Sequence, residues 1–316
     1  MRHPPSLDAL CIGHAAWDLV FTLDGTLAED QKYRARDLIQ SGGGPAANAA
    51  CLLSRWGLAV ALVGRAGDDA FGAAMLHELD QAGVDTTHFR LCPGARTPLS
   101  CVLVNRASGA RTLVNYRADP PAADPAELPE CAVRAILCDG HEPALGALAL
   151  DRFPQALSLL DGGSFREATH ELALRVNHAV VSAAFATAAT GIEPAGPEST
   201  LRCLVALARI YPSRIAITLG ARGVAALDDR GMPVILAPPP VRAFDSSAAG
   251  DIFHGAFVWA LLSGRSYLPA LRVAMRAAAL SVTRPGGRSS IPELEPALAF
   301  APEWWPEEVG VEARGR

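Results

Sequence analysis

The sequence predicts a three-layer α/β fold, with a mostly parallel central sheet, helices on both faces and a small projecting β-sheet. Three observations carry this. Short apolar runs of β type alternate with longer helical ones through most of the 316 residues, a pattern that favours a parallel sheet covered on both sides. Those β-type runs are almost continuously apolar, as strands buried on both faces are. Two extended stretches fall outside the alternation, and together they supply a small projecting sheet. No internal repeat or long linker divides the chain. Residues 1–316 therefore read as one domain, with the extended segments at about 15–40 and 97–118 inserted.

In chain order, the first strand is Ala9–His14, and Val20–Ile39 follows as an extended stretch carrying Lys32, Arg34 and Arg36. Pro45 opens a helix at Ala46–Trp56, since its fixed φ and missing N–H suit a first turn. Strand Val60–Gly64 and helix Gly72–Gln81 come next. Ser100–Tyr116 reads as a hairpin around a turn at Ala107-Ser-Gly-Ala110. Three short apolar runs, Ala135–Asp139, Leu157–Asp161 and Ala179–Ser182, are strands. Helix Glu198–Ile210 leads into strand Ile215–Gly220, and a second hairpin at Gly223–Leu236 turns at Asp229-Arg-Gly231. Helices Asp251–Leu262 and Pro269–Val282 complete the pattern.

Composition narrows the function. With 50% hydrophobic and 19% charged residues, wholesale disorder is excluded. A net charge of −5 argues against a general nucleic-acid binder, which needs positive surface to displace counterions. No run of about 18 apolar residues provides a membrane span, and the start lacks the apolar core of a secretory leader. Seven scattered cysteines without a Cys-x-x-Cys pair fit free thiols in a reducing cytoplasm and no zinc site. Basic residues are 27 arginines and one lysine, Lys32. The arginine bias is compositional, but the single lysine falls in the first extended stretch.

Three segments carry chemistry. Asp245-Ser-Ser-Ala-Ala-Gly-Asp251 runs from a small-residue loop straight into an apolar helix. Small side chains let an anion approach the backbone N–H groups at the helix N-terminus, where the dipole favours negative charge. Asp251 is then either an ordinary N-cap or a general base beside an anion hole, an arrangement suited to phosphoryl transfer. Ser41-Gly-Gly-Gly-Pro-Ala-Ala-Asn48 places backbone close to a ligand, or is a tight strand–helix turn. Thr218, Gly220 and Gly223 end a strand as a nucleotide-receiving loop would. Neither a Walker A loop nor a Gly-x-Gly-x-x-Gly dinucleotide turn occurs.

These segments, in this order, resemble the ribokinase-like (PfkB) carbohydrate kinase family. One signature is similar to Gly43–Ala82 and its continuation Gly83-Val84-Asp85, the other to Asp245–Phe257. The resemblance implies a three-layer sheet-and-helix kinase with a β lid, ATP as phosphoryl donor with Mg²⁺, and a small sugar as acceptor. It assigns Asp251 as catalytic base and Ala248, Ala249 and Gly250 as the anion hole. Asp18, Gly43, Gly44 and Asn48 match sugar-binding positions, and Thr218, Gly220 and Gly223 the nucleotide loop. Asp245 and Ser247 match a loop that holds a monovalent cation, K⁺, in many members. One departure stands out: Ser182-Ala-Ala-Phe185 replaces the family's Asn-x-x-Glu, whose glutamate helps order magnesium.

Lys32-Tyr33, Val114-Asn115-Tyr116 and Thr283–Pro292 are similar to the sulfofructose kinase branch, where a lysine, an asparagine and an arginine hold a sulfonate. Lys32 and Asn115 match. His141 stands where an arginine is expected and is a poorer anion reader, while Arg117 is available to compensate. The implied acceptor is thus a ketose or anionic ketose. Ribose, a sugar acid, a nucleoside, or a weakened sugar-binding regulator on the same fold are the alternatives. The retained Asp251 argues against a pure binder. Exposed lid edges invite pairing of two copies into a homodimer.

Overall fold

The computed structural model describes residues 6–107, 111–117, 124–304 and 308–310. The strands are β1 (Ser6–Ile12), β2 (Ala16–Leu23), β3 (Asp37–Gly43), β4 (Val60–Gly67), β5 (Phe89–Cys92), β6 (Leu99–Asn105), β7 (Arg111–Tyr116), β8 (Ala132–Cys138), β9 (Leu157–Gly162), β10 (His178–Ser182), β11 (Arg214–Thr218), β12 (Val224–Leu227), β13 (Pro233–Leu236) and β14 (Glu308–Gly310). The helices are α1 (Pro45–Arg55), α2 (Ala70–Gln81), α3 (Pro143–Arg152), α4 (Glu167–Ala173), α5 (Ala183–Thr190), α6 (Pro197–Ile210), α7 (Ala249–Leu262), α8 (Tyr267–Ser281) and α9 (Leu294–Ala299).

The large sheet runs β14-β13-β12-β11-β10-β9-β8-β1-β4-β5. From β5 to β11 every pairing is parallel, and β12 to β14 add an antiparallel edge. Side chains of β1 alternate between two cores. Ala9 and Cys11 join α1, α7 and α8, whereas Leu10 and Ile12 join α4, α5 and α6. That is the predicted three-layer fold. The chain starts in the middle of the sheet, moves from β1 to β4 on one side, and later lays β8 on the other. The carboxyl ends of β1 and β8 therefore flank a topological switch point, where open α/β sheets bind ligands.

Helix α7 lies against α1, and Gly255 sets the approach. A Cβ there would lie 3.2 Å from the Ala49 carbonyl oxygen and from Leu52, tighter than ordinary packing. This close fit brings the first turns of α1 and α7 together.

The lid is a second sheet in the order β3-β2-β6-β7. The predicted extended stretch at Val20–Ile39 proves to be two strands, β2 and β3, joined by an irregular connection over 24–36 that carries Lys32. The predicted hairpin is β6 and β7, and positions 108–110 of its turn lie outside the described residues. Strand β11 ends at Thr218, because Gly220 adopts φ 60° and starts a 3₁₀ turn. Strand β5 and helices α3, α4, α5 and α9 were not among the expected elements. Among the described residues, no helix is long and apolar enough to cross a membrane.

Candidate active site

A cavity of about 490 Å³ opens between the lid and the carboxyl ends of the central strands. Its floor is organised by Asp139, which directly follows β8 and is 3% exposed. One carboxylate oxygen accepts the His14 N–H (2.8 Å) and the Ala46 N–H (3.2 Å), and the other accepts the His141 N–H (2.9 Å). Asp139 thus ties the end of β1, the start of α1 and its own loop to one point. Burial pushes its carboxyl up, but the donated hydrogen bonds and the His141 ring, 3.1 Å away, outweigh that and hold it below the usual carboxylate range. Gly13 is needed beside it, since a Cβ there would lie 1.9 Å from the carboxylate. The His14 ring stacks on His141 at 4.7 Å, and burial lowers it to about 4, so it is neutral at pH 7.

The lid supplies the ceiling. Register places Ser41, Asp18, Ser100 and Asn115 in one row across β3, β2, β6 and β7. Asp18, Ser100 and Asn115 of that row line the cavity. A Cβ on Gly43 would come within 2.3 Å of an Asp18 carboxylate oxygen, so the glycine leaves Asp18 its space.

Asp251 stands in the first turn of α7 and lines the cavity. The Asn48 amide donates to it at 2.8 Å. The orientation of that amide is fixed from behind. Arg288 Nε donates to Asn48 Oδ1 (3.3 Å), so the Asn48 NH₂ must face Asp251. Arg288 is itself 3% exposed and is held by Glu78 (2.9 Å), which also accepts the Gly42 N–H (2.8 Å). Burial, reinforced by the nearby charge of Asp161, pushes Asp251 up to about 6, against the Asn48 hydrogen bond and the charge of His254.

The predicted residues divide cleanly. Asp18, Gly44, Asn48, Asn115, Arg117, His141, Ser247, Ala248 and Asp251 line the cavity together. Lys32 does not: it is exposed on the connection between β2 and β3, outside the lining, because that connection does not fold back over the site. Of the anion-hole residues, Ala248 is the N-cap in a left-handed conformation (φ 57°), and the Ala249 N–H turns back toward the Ser246 carbonyl at 3.4 Å. The first-turn N–H groups of Gly250 and Asp251 have no carbonyl four residues earlier within the helix, as at any helix start. Asp245 braces its loop rather than facing outward. It accepts from the Ser247 N–H (2.8 Å), the Ser247 hydroxyl (2.7 Å) and the Gly286 N–H (2.9 Å). Thr218, Gly220 and Gly223 sit at the carboxyl end of β11, two strands along from β9 and outside this cavity. Gly223 (φ 93°) is enforced by β13, since a Cβ would lie 1.9 Å from the Leu236 carbonyl.

The structure adds residues the sequence reading missed. Asp161, at the end of β9, and Arg166, at the start of α4, both line the cavity. Arg166 reaches the Asp139 carbonyl at 3.4 Å, while its buried Nε has no hydrogen-bond partner among the described residues. A readable signal existed for the two aspartates. Asp139 and Asp161 each put a charge at the carboxyl end of an otherwise apolar strand, where α/β sites lie. A side pocket of about 100 Å³ shares His14, Arg117 and His141 with the main cavity and adds Arg65 and Arg96. Arg65 is balanced by Glu127 (2.9 Å) and Glu142 (3.1 Å).

A sheet-end cavity under a β lid, with a half-buried carboxylate at a helix start, defines a sugar-kinase class of site. The chain belongs to the pfkB family of carbohydrate kinases, phosphotransferases with an alcohol acceptor, whose family model matches residues 6–294. It is 29% identical over 293 residues to the ribokinase of Haemophilus influenzae, covering 89% of this chain and 92% of that one. It is 25% identical over 281 residues to the ketohexokinase of Mus musculus, covering 83% and 92%. A solved structure from Agrobacterium tumefaciens, described as a candidate ribokinase, superposes with TM-score 0.81 at 30% identity over 92% of this chain and 96% of that one. Arabidopsis thaliana ribokinase, solved with ribose and ATP, shares the fold with TM-score 0.80 at 20% identity, covering 93% and 98%.

Proposed function

We propose that the protein transfers the γ-phosphoryl group of ATP to a primary hydroxyl of a small sugar, a ketose or an anionic ketose such as sulfofructose. Asp251 is the observation that supports this best. It is a carboxylate on the wall of a sugar-sized cavity, at a helix N-terminus, with its geometry fixed by Asn48. The row of Asp18, Ser100 and Asn115 reads sugar hydroxyls. The acceptor oxygen attacks the γ-phosphorus in line and its proton passes to Asp251. The bond to the β–γ bridging oxygen breaks, and ADP leaves with that electron pair. First-turn N–H groups of α7 take up charge on the transferring oxygens.

Magnesium supplies charge neutralisation when it arrives with ATP. The described residues offer no group of three or more potential metal ligands, and Ser182 and Phe185 hold the positions where relatives carry Asn and Glu. The donor set therefore fits an ion carried on phosphates and water. With the Asp245 carboxylate engaged in bracing its loop, a potassium ion there would take backbone carbonyl oxygens. The free cysteines suit a reducing cytoplasm. Leu38 (44% exposed) and Val114 (59%) on the lid support a homodimer formed lid to lid.

An anionic acceptor is favoured by Arg117, which lines both the main cavity and the basic side pocket. Ribose is the second reading, favoured by the position of Lys32 away from the cavity. An ATP-consumption screen over ketoses, ribose, sugar acids, sulfosugars and nucleosides separates them. Arg117→Ala should raise KM for an anionic sugar roughly 10–100-fold and leave a neutral ketose unchanged, whereas Lys32→Ala should not discriminate between them. Asp251→Asn should lower kcat by about 10²–10⁴-fold with sugar binding retained in calorimetry. Near wild-type turnover in that variant would refute the assignment.

A further inference from the structure

Asp161 and Asp251 line one cavity and are close enough for each charge to oppose the other. An uncompensated negative charge on Asp161 would oppose ionisation of Asp251. His254 lies one helical turn beyond Asp251 on α7, on the same face by its i, i+3 spacing. Its ring is buried, as is the Asp161 side chain (6% and 7% exposed). Nδ1 lies 2.6 Å from the Gly250 carbonyl oxygen and 3.1 Å from an Asp161 carboxylate oxygen. Nε2 lies 3.2 Å from the Val180 carbonyl oxygen on β10. Every one of these partners is an acceptor. Either neutral tautomer would aim a nitrogen lone pair at an oxygen lone pair within a buried contact, at a cost in desolvated polar groups. With Asp161 ionised, only the doubly protonated ring satisfies all three contacts.

We propose that His254 is a positioning residue held as an imidazolium, which offsets the charge of Asp161 beside Asp251, and which anchors the Gly250 peptide at the start of α7 to β9 and β10. The charged groups around the pair are consistent with this. Asp161 reaches it from β9 and Asp251 from α7 itself, and Asp139 at the end of β8 adds a further negative charge near Asp251. From α1 the approaching group is the neutral Asn48 amide. Burial alone would favour a neutral ring, but the Asp161 charge and its hydrogen bond, with the Val180 carbonyl and Asp251, raise the histidine above its ordinary value. The cavity then carries a compensated pair beside Asp251.

The kinetic part of this inference rests on Asp251 as the base, while the charge state of His254 does not. Long-range ¹⁵N–¹H correlation of the imidazole nitrogens should find His254 doubly protonated from pH 6 to 8 in the wild-type protein, and neutral in Asp161→Asn. A neutral tautomer in the wild type overturns the proposal. In kcat/KM profiles, His254→Asn should move the acid limb to higher pH by about one unit or more, because Asp161 is then uncompensated. The double variant Asp161→Asn/His254→Asn should return the limb toward the wild-type position, although each change alone impairs turnover. If the limb stays in place in the single variant, or the double variant keeps its displaced limb, the pair has only a structural role and the proposal fails. If Asp251→Asn retains turnover while His254 is found charged, the reading of the base fails and the ion pair stands.

Discussion

At the residue scale, Ala248 bears a conformational cost for the turn that opens α7. It is the N-cap of α7 at φ 57° and ψ 7°, a conformation that Cβ disfavours by roughly 1–2 kcal/mol. Glycine adopts it freely, at the expense of greater freedom in the unfolded chain, about 0.5–1 kcal/mol. Ala248→Gly should therefore stabilise the protein by roughly 0.5–1 kcal/mol, read as a higher urea midpoint, with kcat within twofold. A lower midpoint would show that the left-handed turn is not held in solution. Asp18, Asn48 and Asp251 were legible in the sequence because each sits in a short local pattern: a strand end, a glycine turn, a small-residue loop before a helix. Arg166, Arg288 and His254 were not, because their roles come from partners far away in the chain. Arg288, for instance, meets Asn48 across a separation of 240 residues. Lys32 drew attention through its rarity, and rarity says nothing about where a loop turns.

At the scale of elements, the strongly periodic or continuous apolar stretches were read to within a few residues, as α1, α2, α6, α7 and α8 show. Helices α3 and α5 escaped. Pro-Ala-Leu-Gly-Ala-Leu-Ala-Leu-Asp-Arg and Ala-Ala-Phe-Ala-Thr-Ala-Ala-Thr are short and show little amphipathic contrast. They are stabilised mainly by burying Leu145 and Phe185 against the sheet. The lid is legible as strands but not as a row. Its function depends on register, which brings Asp18, Ser100 and Asn115 side by side and which no single stretch encodes. Alternation along β7 turns Val114 to the face opposite Leu113 and Asn115, which line the cavity. If two copies join through the outer face of the lid, Val114→Glu should shift the sedimentation equilibrium toward monomer at micromolar concentration. A wild-type protein that is monomeric at that concentration would dismiss the lid-to-lid dimer.

Across the whole molecule, the carboxylates of Asp139 and Asp251 pull stability in opposite directions with pH. Asp139 is held below its unfolded value, so its contribution is present above about pH 4 and is lost as pH falls through its folded value. Asp251 is raised to about 6. Its protonated form favours the fold below about pH 4, and that advantage is lost as pH rises through 6. Ionised Asp251 is thus a burden on the fold near neutral pH. Asp251→Asn should stabilise the protein at pH 8 by roughly 3 kcal/mol, read as a higher melting temperature, and leave the melting temperature nearly unchanged at pH 4. An equal shift at both values would show that the carboxylate charge is not the cause.

The three-way hold of Asp139 on the end of β1, the start of α1 and its own loop has a temporal consequence. Ala46 waits for a partner 93 residues later in the chain, Asn48 for Asp251 203 residues later, and Glu78 for Arg288 210 residues later. As the chain emerges from the ribosome, the glycine turn is made early but stays unsupported until the last third has been synthesised and docked. The cavity wall is therefore completed late and all together, and a prematurely terminated chain that lacks α7 and Arg288 has neither Asp251 nor the brace behind Asn48.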